Sequence, residues 1–240
     1  MKLAIIGYGK MGKEIERLAV SRGHSIGATI DNASDWVEKA SDLSACDAAI
    51  EFSMPSIAAE NLGKCFKLKI PVVTGTTGWY EVLPHTIDDC IENDGALFYA
   101  SNFSIGVNLF FEINKKLAQL MNKQPEYDVR MKETHHIHKL DAPSGTAVTL
   151  ANDIIGNLDR KTKWVNRESS APEELEIISS REGEVTGLHK VEWISNFDTI
   201  SLRHEAFNRQ GFALGAVIAA EFLASRKGIY TMKDLFSQME

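Results

Sequence analysis

Apolar residues follow two rhythms along this chain. Short unbroken runs, Leu3-Ala4-Ile5-Ile6, Ala48-Ala49-Ile50, Pro71-Val72-Val73 and Ala96-Leu97-Phe98, recur through the first hundred residues. Each reads as a strand buried on both faces. Between them, apolar positions return every three or four residues, as in Met11, Ile15, Leu18 and Ala19, or Ala58, Leu62, Cys65 and Phe66. That is the spacing of an amphipathic helix. A further strand at Ser25–Ile30 and a helix through Ile87, Cys90 and Ile91 complete the alternation. The pattern predicts an α/β domain built on a doubly wound parallel sheet.

After Ser101–Asn108 the rhythm changes. A longer helix is predicted from about Gly106 through Leu109, Ile113, Leu117 and Leu120. Tyr127–Lys132 then alternates apolar and polar like a half-buried strand, and further strands are expected at Leu175–Ser180, Leu188–Ile194 and Thr199–His204. The polar stretch from Asp159 to Glu174 reads as loop, and Asn196-Phe197-Asp198 as a turn. Strands with helices on one side make an α+β domain. Gly211–Leu223 is apolar nearly all round, so it must be buried, and it is expected to return to the first domain. The chain is therefore divided as residues 1–105 plus 209–240, for nucleotide binding, and an inserted domain at 106–208. The inserted sheet has an uncovered face, which suits it to oligomerisation.

Composition excludes more than it identifies. The content is 44% hydrophobic and 25% charged, as in an ordinary soluble protein. The formal charge of -7 opposes nonspecific nucleic-acid binding, so no nucleic-acid partner is expected. No run approaches the ~20 apolar residues of a membrane span. Cys46, Cys65 and Cys90 are odd in number and unclustered, and read as reduced thiols of a cytoplasmic protein.

Chemistry enters at two places. The first strand runs into Gly7-Tyr8-Gly9-Lys10-Met11-Gly12, a G-x-G-x-x-G sequence between strand and helix. Its glycines permit a tight turn and a close approach to a pyrophosphate. The second strand ends in Asp31, where a Rossmann site places the acceptor for ribose hydroxyls. Asn32, not a basic residue, follows it, which tilts the cofactor towards NADH over NADPH. Gly75-Thr76-Thr77, at another strand end, lies where the lip of a nicotinamide pocket would be, or forms a plain turn.

The second place is Glu133-Thr134-His135-His136-Ile137-His138-Lys139-Leu140-Asp141-Ala142-Pro143-Ser144-Gly145-Thr146-Ala147. Titratable groups crowd a strand end, and Ser144-Gly145-Thr146 opens a helix whose free N–H groups suit an anion. Imidazoles and an ammonium facing that helix start suit an acidic small molecule that must be protonated. Metal is the alternative, with His136 and His138 on one face and His135 on the other, but the helical His-x-x-x-His spacing is absent and no metal is expected.

These motifs, with Gly78 and Asn102-Phe103-Ser104-Ile105-Gly106-Val107-Asn108, resemble those of the dihydrodipicolinate reductase family over the whole chain. The resemblance implies a Rossmann domain with an inserted α+β substrate and oligomerisation domain. It also implies a homotetramer, and NADH or NADPH as hydride donor to a small cyclic dicarboxylate in lysine and diaminopimelate synthesis. Carried over by position, it makes His135 the general acid and Lys139 a second donor. His136, Gly145 and Thr146 would bind a substrate carboxylate. Gly7 to Gly12, Asp31, Gly75 to Thr77, and Ala100, Ser101, Asn102 and Phe103 would bind the cofactor. The chain departs from the family in Asn32 and in a short segment from Asn32 to Asp47, both at the adenosine end. Rival readings are another two-domain Rossmann reductase, an NAD-binding sensor without catalysis, and a metal-dependent hydrolase.

Overall fold

A computed structural model describes residues 1–238, and the chain divides into two compact units. The first comprises Met1–Ser104 with the segment from Gln210 onward; the second is Ile105–Arg209.

In the first unit, β1 (Lys2–Ile6), α1 (Lys10–Ser21), β2 (Ser25–Ile30), α2 (Asp35–Glu38), α3 (Ala40–Ser44), β3 (Ala48–Glu51) and α4 (Pro55–Lys67) follow in order. Next come β4 (Val72–Thr74), a short 3₁₀ turn (Tyr80–Val82), α5 (Leu83–Glu92) and β5 (Ala96–Tyr99). The strands form a parallel sheet in which β2 and β3 flank β1 on opposite sides, with β4 and β5 beyond β3. Leu3, Ile5, Ala49, Ile50, Val72 and Leu97 are all fully buried, as expected of runs covered on both faces. The direction of strand addition reverses beside β1, and such a switch point opens a crevice at the strands' C-terminal ends.

Close approach explains two glycines there. Gly7 has φ +88°, and a Cβ on it would lie 2.1 Å from the Phe52 carbonyl oxygen. A Cβ on Gly12 would lie 2.2 Å from the Gly7 carbonyl oxygen, so α1 rests directly on the turn that precedes it.

The second unit contains α6 (Ile105–Met121), β6 (Asp128–His135), α7 (Gly145–Ile155), β7 (Lys163–Val165), β8 (Glu174–Arg181), β9 (Gly187–Ile194) and β10 (Thr199–Ala206). Its sheet runs β10-β9-β6-β8-β7. β6 is antiparallel to β9 and parallel to β8, so the sheet is mixed. Val129, Met131, Leu175, Ile177, Val191 and Trp193 form one core with Ala147, Leu150, Ile154 and Ala118 of the two helices. The alternate residues Arg130, Lys132, Ser201 and Arg203 are exposed on the sheet's other face.

The chain then returns to the first unit through α8 (Gln210–Leu223), β11 (Gly228–Tyr230) and α9 (Met232–Phe236). Ala213, Ala216, Val217, Ala219, Ala220 and Leu223 of α8 are fully buried, as an all-round apolar helix requires. Gly215 has no room for a side chain, since a Cβ would meet the Phe103 carbonyl oxygen at 1.7 Å.

The loop expected from Asp159 to Glu174 is corrected by β7, an edge strand parallel to β8. Trp164 packs against the core and Lys163 reaches Glu174 at 3.2 Å, which ties this polar stretch to the sheet. The segment between β2 and β3, expected only to be polar, holds two short helices, with Asp35 ion-paired to Lys39 at 2.7 Å.

Candidate active site

Two clefts open at the C-terminal ends of the parallel strands in the first unit. One, of about 400 Å³, is lined by Gly7, Gly9, Asp31, Asn32, Trp36, Phe52, Asn61 and Lys64 among others. The other, of about 490 Å³, is lined by Gly9, Lys10, Met11, Phe52, Ser53, Pro55, Gly75, Thr76 and Thr77. Gly9 faces both, and a Cβ there would meet nothing within 4 Å, so the backbone at the start of α1 is open to a ligand. In Rossmann folds the corresponding turn holds a pyrophosphate through N–H groups and the helix dipole. Asp31 is held in place by the Tyr8 N–H, which donates to its Oδ1 at 2.8 Å. Tyr8 and Gly12 support the turn but do not line either cleft.

The crossover loops are joined beneath the clefts by a residue to which the sequence attached no role. Glu51, at the end of β3, is fully buried. It accepts hydrogen bonds from the Thr74 hydroxyl at 2.6 Å, the Thr76 hydroxyl at 3.0 Å and the Ser53 N–H at 3.0 Å, and one from the Ser53 hydroxyl. A buried carboxylate is tolerated when its lone pairs are filled in this way. Gly75 lets the β4 loop lie on Phe52, whose ring a Cβ would meet at 2.1 Å. Phe103 is buried beside Phe52 and Phe98, with ring centroids 5.9 and 5.8 Å away. It therefore acts as a wall, while Ala100, Ser101 and Asn102 lead out of β5 above it.

In the second unit, strand geometry concentrates the chemistry. Glu133 and His135 are two apart on β6, so their side chains share a face. Register places His189 of β9 opposite Glu133, and Arg181 of β8 beside His135. Glu133 is 1% exposed. It accepts from the Ser144 N–H at 3.0 and 3.2 Å and from the Ser179 hydroxyl at 2.7 Å. The His135 Nδ1 lies 3.5 Å from Glu133, the His189 Nδ1 3.9 Å, and Arg181 Nη1 3.9 Å. The two imidazoles meet edge to face, with centroids 5.0 Å apart.

One carboxylate thus ties β6 to the start of α7. Ser144 is the N-cap of that helix and its hydroxyl accepts from the Ala147 N–H at 3.2 Å. Gly145 and Thr146 carry the remaining N–H groups of the first turn, and a Cβ on Gly145 would meet nothing within 4 Å. Lys139 is held by Asp141, at 2.8 and 2.9 Å. Arg181 fixes that loop by donating to the Lys139 and Asp141 carbonyls at 3.2 and 2.5 Å.

The charges follow from these contacts. Burial pushes the Glu133 carboxyl upward, but hydrogen bonds from Ser144 and Ser179 and the nearby His135 outweigh it and leave the group below its usual range. Burial lowers His135, helped by Lys139 and Arg181 and opposed by Glu133 and Asp141. Burial, with His135 beside it, pushes His189 down to about 4. His189 is therefore neutral near pH 7, and of the two imidazoles His135 is the one better placed to become charged.

The structure brings His135, Lys139, Gly145 and Thr146 into one region of the second unit. His136 is not part of the Glu133 cluster; its ring lies 6.1 Å from that of His138. Arg181, His189 and Ser179 were missed by sequence reasoning, because strand pairing, not chain order, makes them neighbours of the motif. Glu133 had a visible signal, its spacing of two from His135.

Family models for dihydrodipicolinate reductase match the chain twice, its N-terminal part over residues 1–103 and its C-terminal part over residues 106–236. A 4-hydroxy-tetrahydrodipicolinate reductase of Christiangramia forsetii is 45% identical over 241 residues, covering 100% of this chain and 99% of that protein. One of Staphylococcus aureus is 33% identical, covering 98% and 100%. A solved structure, a dipicolinate-bound dihydrodipicolinate reductase from Paenisporosarcina, shares the fold with TM-score 0.78 at 23% identity, over 96% of this chain and 97% of that one. No helix among the described residues is long and apolar enough to cross a membrane. The chain belongs to the dihydrodipicolinate reductase family, and is a nicotinamide-dependent oxidoreductase of lysine and diaminopimelate biosynthesis.

Proposed function

We propose that this chain reduces the cyclic, imine-containing dicarboxylate 4-hydroxy-tetrahydrodipicolinate with NADH, using His135 as proton donor. The observation that carries this reading is the Glu133-His135 pair beside Lys139, Arg181 and the open first turn of α7. Loss of the 4-hydroxyl as water, with a proton from the neighbouring ring carbon, leaves a C=C conjugated to the imine. The nicotinamide, when bound, would supply a hydride to the carbon that carried the hydroxyl, and the displaced electron pair would move to the ring nitrogen. Gly7 to Gly12, Asp31, Gly75 to Thr77 and the Ala100 to Phe103 segment would hold the cofactor, with Tyr8 and Gly12 acting through the turn they support. The enamine left in the ring then takes a proton from the His135 imidazolium, whose charge Glu133 stabilises. Lys139 donates a hydrogen bond to the substrate, and His136 with Gly145 and Thr146 binds a carboxylate. In the free protein burial and two cations oppose protonation of His135. A dianionic substrate beside Lys139 and Arg181 reverses that balance, so His135 becomes charged as substrate binds.

On cofactor choice, the Asn32 Oδ1 is occupied by the N–H groups of Ser34 and Asp35 and by the Ser34 hydroxyl. The ammonium of Lys39 is held by Asp35, and Lys64, which lines the cleft, by Glu60 at 2.8 Å. A 2′-phosphate would therefore meet Asp31 before any unpaired cation of this group. The chain further assembles as a homotetramer through residues 175–204, whose outer face carries Lys190 and Glu192 at 2.7 Å and half-buried Ile178.

His135→Gln is expected to lose about 10²–10⁴-fold in kcat with NADH affinity unchanged. Lys139→Ala should lower kcat and raise KM. Near wild-type turnover in His135→Gln, with His136→Gln inactive, would move the proton donor to His136.

NADH should serve at least as well as NADPH, and Asn32→Arg should shift the ratio towards NADPH. A wild-type preference for NADPH of about tenfold in kcat/KM, some 1.4 kcal/mol, would contradict this. Light scattering at micromolar concentration should give the mass of four chains, and a mass of one chain would remove the tetramer.

A further inference from the structure

Six buried side-chain atoms of the second unit lack a hydrogen-bond partner, and two of them face one carboxylate oxygen. The Nδ1 atoms of His135 and His189 are both inaccessible and neither has a hydrogen-bond partner. Their side chains are 9% and 5% exposed. Both face Glu133 Oε2, at 3.5 and 3.9 Å. Oε1 accepts from the Ser179 hydroxyl and the Ser144 N–H, and that N–H also reaches Oε2 at 3.2 Å. Orphaned nitrogens of this kind are uncommon inside proteins, because each forfeits the hydration it had when unfolded.

Strand geometry makes this arrangement rigid. Two side chains come from alternate positions of β6 and the third from the paired position on β9, so all three project from one face of a paired sheet. One ligand atom from each lies within 4.8 Å of the other two. Some point must then lie within roughly 2.8 Å of all three, against Zn–N and Zn–O distances of about 2.0–2.2 Å. Closing that gap asks each side chain for well under 1 Å. Two imidazoles and a carboxylate are also the donor set of several zinc sites, with the fourth position left to solvent or substrate.

We propose that Glu133, His135 and His189 bind a transition-metal dication of the zinc type, and that its binding stops turnover by withdrawing the proton donor. The ion occupies an imidazole nitrogen of His135 and the charge of Glu133 at once, so the pair can neither hold nor release a proton. This site differs from the one the histidine spacing suggests. His138 is exposed and paired with Glu184 at 3.4 Å, outside the cluster. The binding half of the proposal needs only the geometry; the inhibitory half rests on His135 as proton donor.

The test uses the full chain after treatment with a chelator, and Zn²⁺ or Co²⁺ alone as probe. Equilibrium dialysis should find one Zn²⁺ per chain. His189→Gln should weaken binding by about tenfold or more, at least the loss seen when a metal ligand's outer partner is removed. His138→Gln should leave binding unchanged. Bound Co²⁺ should give the strong visible absorption of a four-coordinate ion, a readout on wild-type protein that holds even if His189→Gln fails to fold. The NADH oxidation rate should fall in proportion to the sites filled and return on chelation. Absence of stoichiometric binding, a hydrated-ion spectrum, or loss of binding in His138→Gln would overturn the site. Zn²⁺ bound with turnover intact would overturn the inhibition and the role of His135 together. A His135→Gln protein that is inactive while wild type binds no Zn²⁺ would overturn the metal site alone, leaving the proton donor in place.

Discussion

The second unit depends on one buried carboxylate. Leaving Glu133 unpaired would cost several kcal/mol, so everything around it must be arranged to meet it. The Ser144 N–H, the Ser179 hydroxyl, two imidazoles and a guanidinium come from four different segments, and all converge on its two oxygens. Hydrogen bonds to a charged group contribute roughly 1.5–3 kcal/mol each, which is enough to fix the start of α7 against β6. The same contacts decide where Gly145 and Thr146 present their N–H groups, and which way the His135 ring is turned. Structure and chemistry thus share one anchor.

The first unit uses the same device at the opposite end of the chain's chemistry. Glu51 is fully buried and its lone pairs are filled by three hydroxyls and an N–H from the last residue of β4 and the loops after β3 and β4. These loops line the two clefts, so a polar network one layer below sets the shape of the lining above. Phe52 is then wedged between the Gly7 turn and the Gly75 loop, both of which lack the Cβ that would strike it. Satisfied buried polar groups of this kind make a surface stiff, and a stiff surface is what a cofactor site requires.

Local signals carried well. The unbroken runs at Leu3–Ile6 and Ala48–Ile50 became central strands, and the all-apolar Gly211–Leu223 became a buried helix, because burial on every side leaves no polar position to mislead. Gly7, Gly9 and Asp31 line a cleft, and they were legible because a glycine turn after one strand and an acid ending the next form a motif readable without strand pairing. What remained hidden was long-range. Arg181 and His189 have no motif of their own; only the register of β8 and β9 against β6 brings them to His135. β7 reads as loop in the sequence because three residues, two of them half-buried, give too short a pattern. Lys64 reaches the cleft beside Asp31 by packing over Trp36, at 4.9 Å from the ring centroid, which no spacing reveals.

The most direct test of this account is Glu133→Gln, which keeps the side chain's shape but turns one acceptor into a donor facing the Ser144 N–H. Steady-state rates across pH, with NADH binding measured in parallel, separate a positioning role from general damage. The account predicts a loss of about 10²-fold in kcat with NADH affinity intact. It also predicts that activity is lost at lower pH than in wild type, since the charge favouring a protonated His135 is gone. Wild-type turnover with an unchanged pH profile would show that the buried carboxylate does not govern the proton donor.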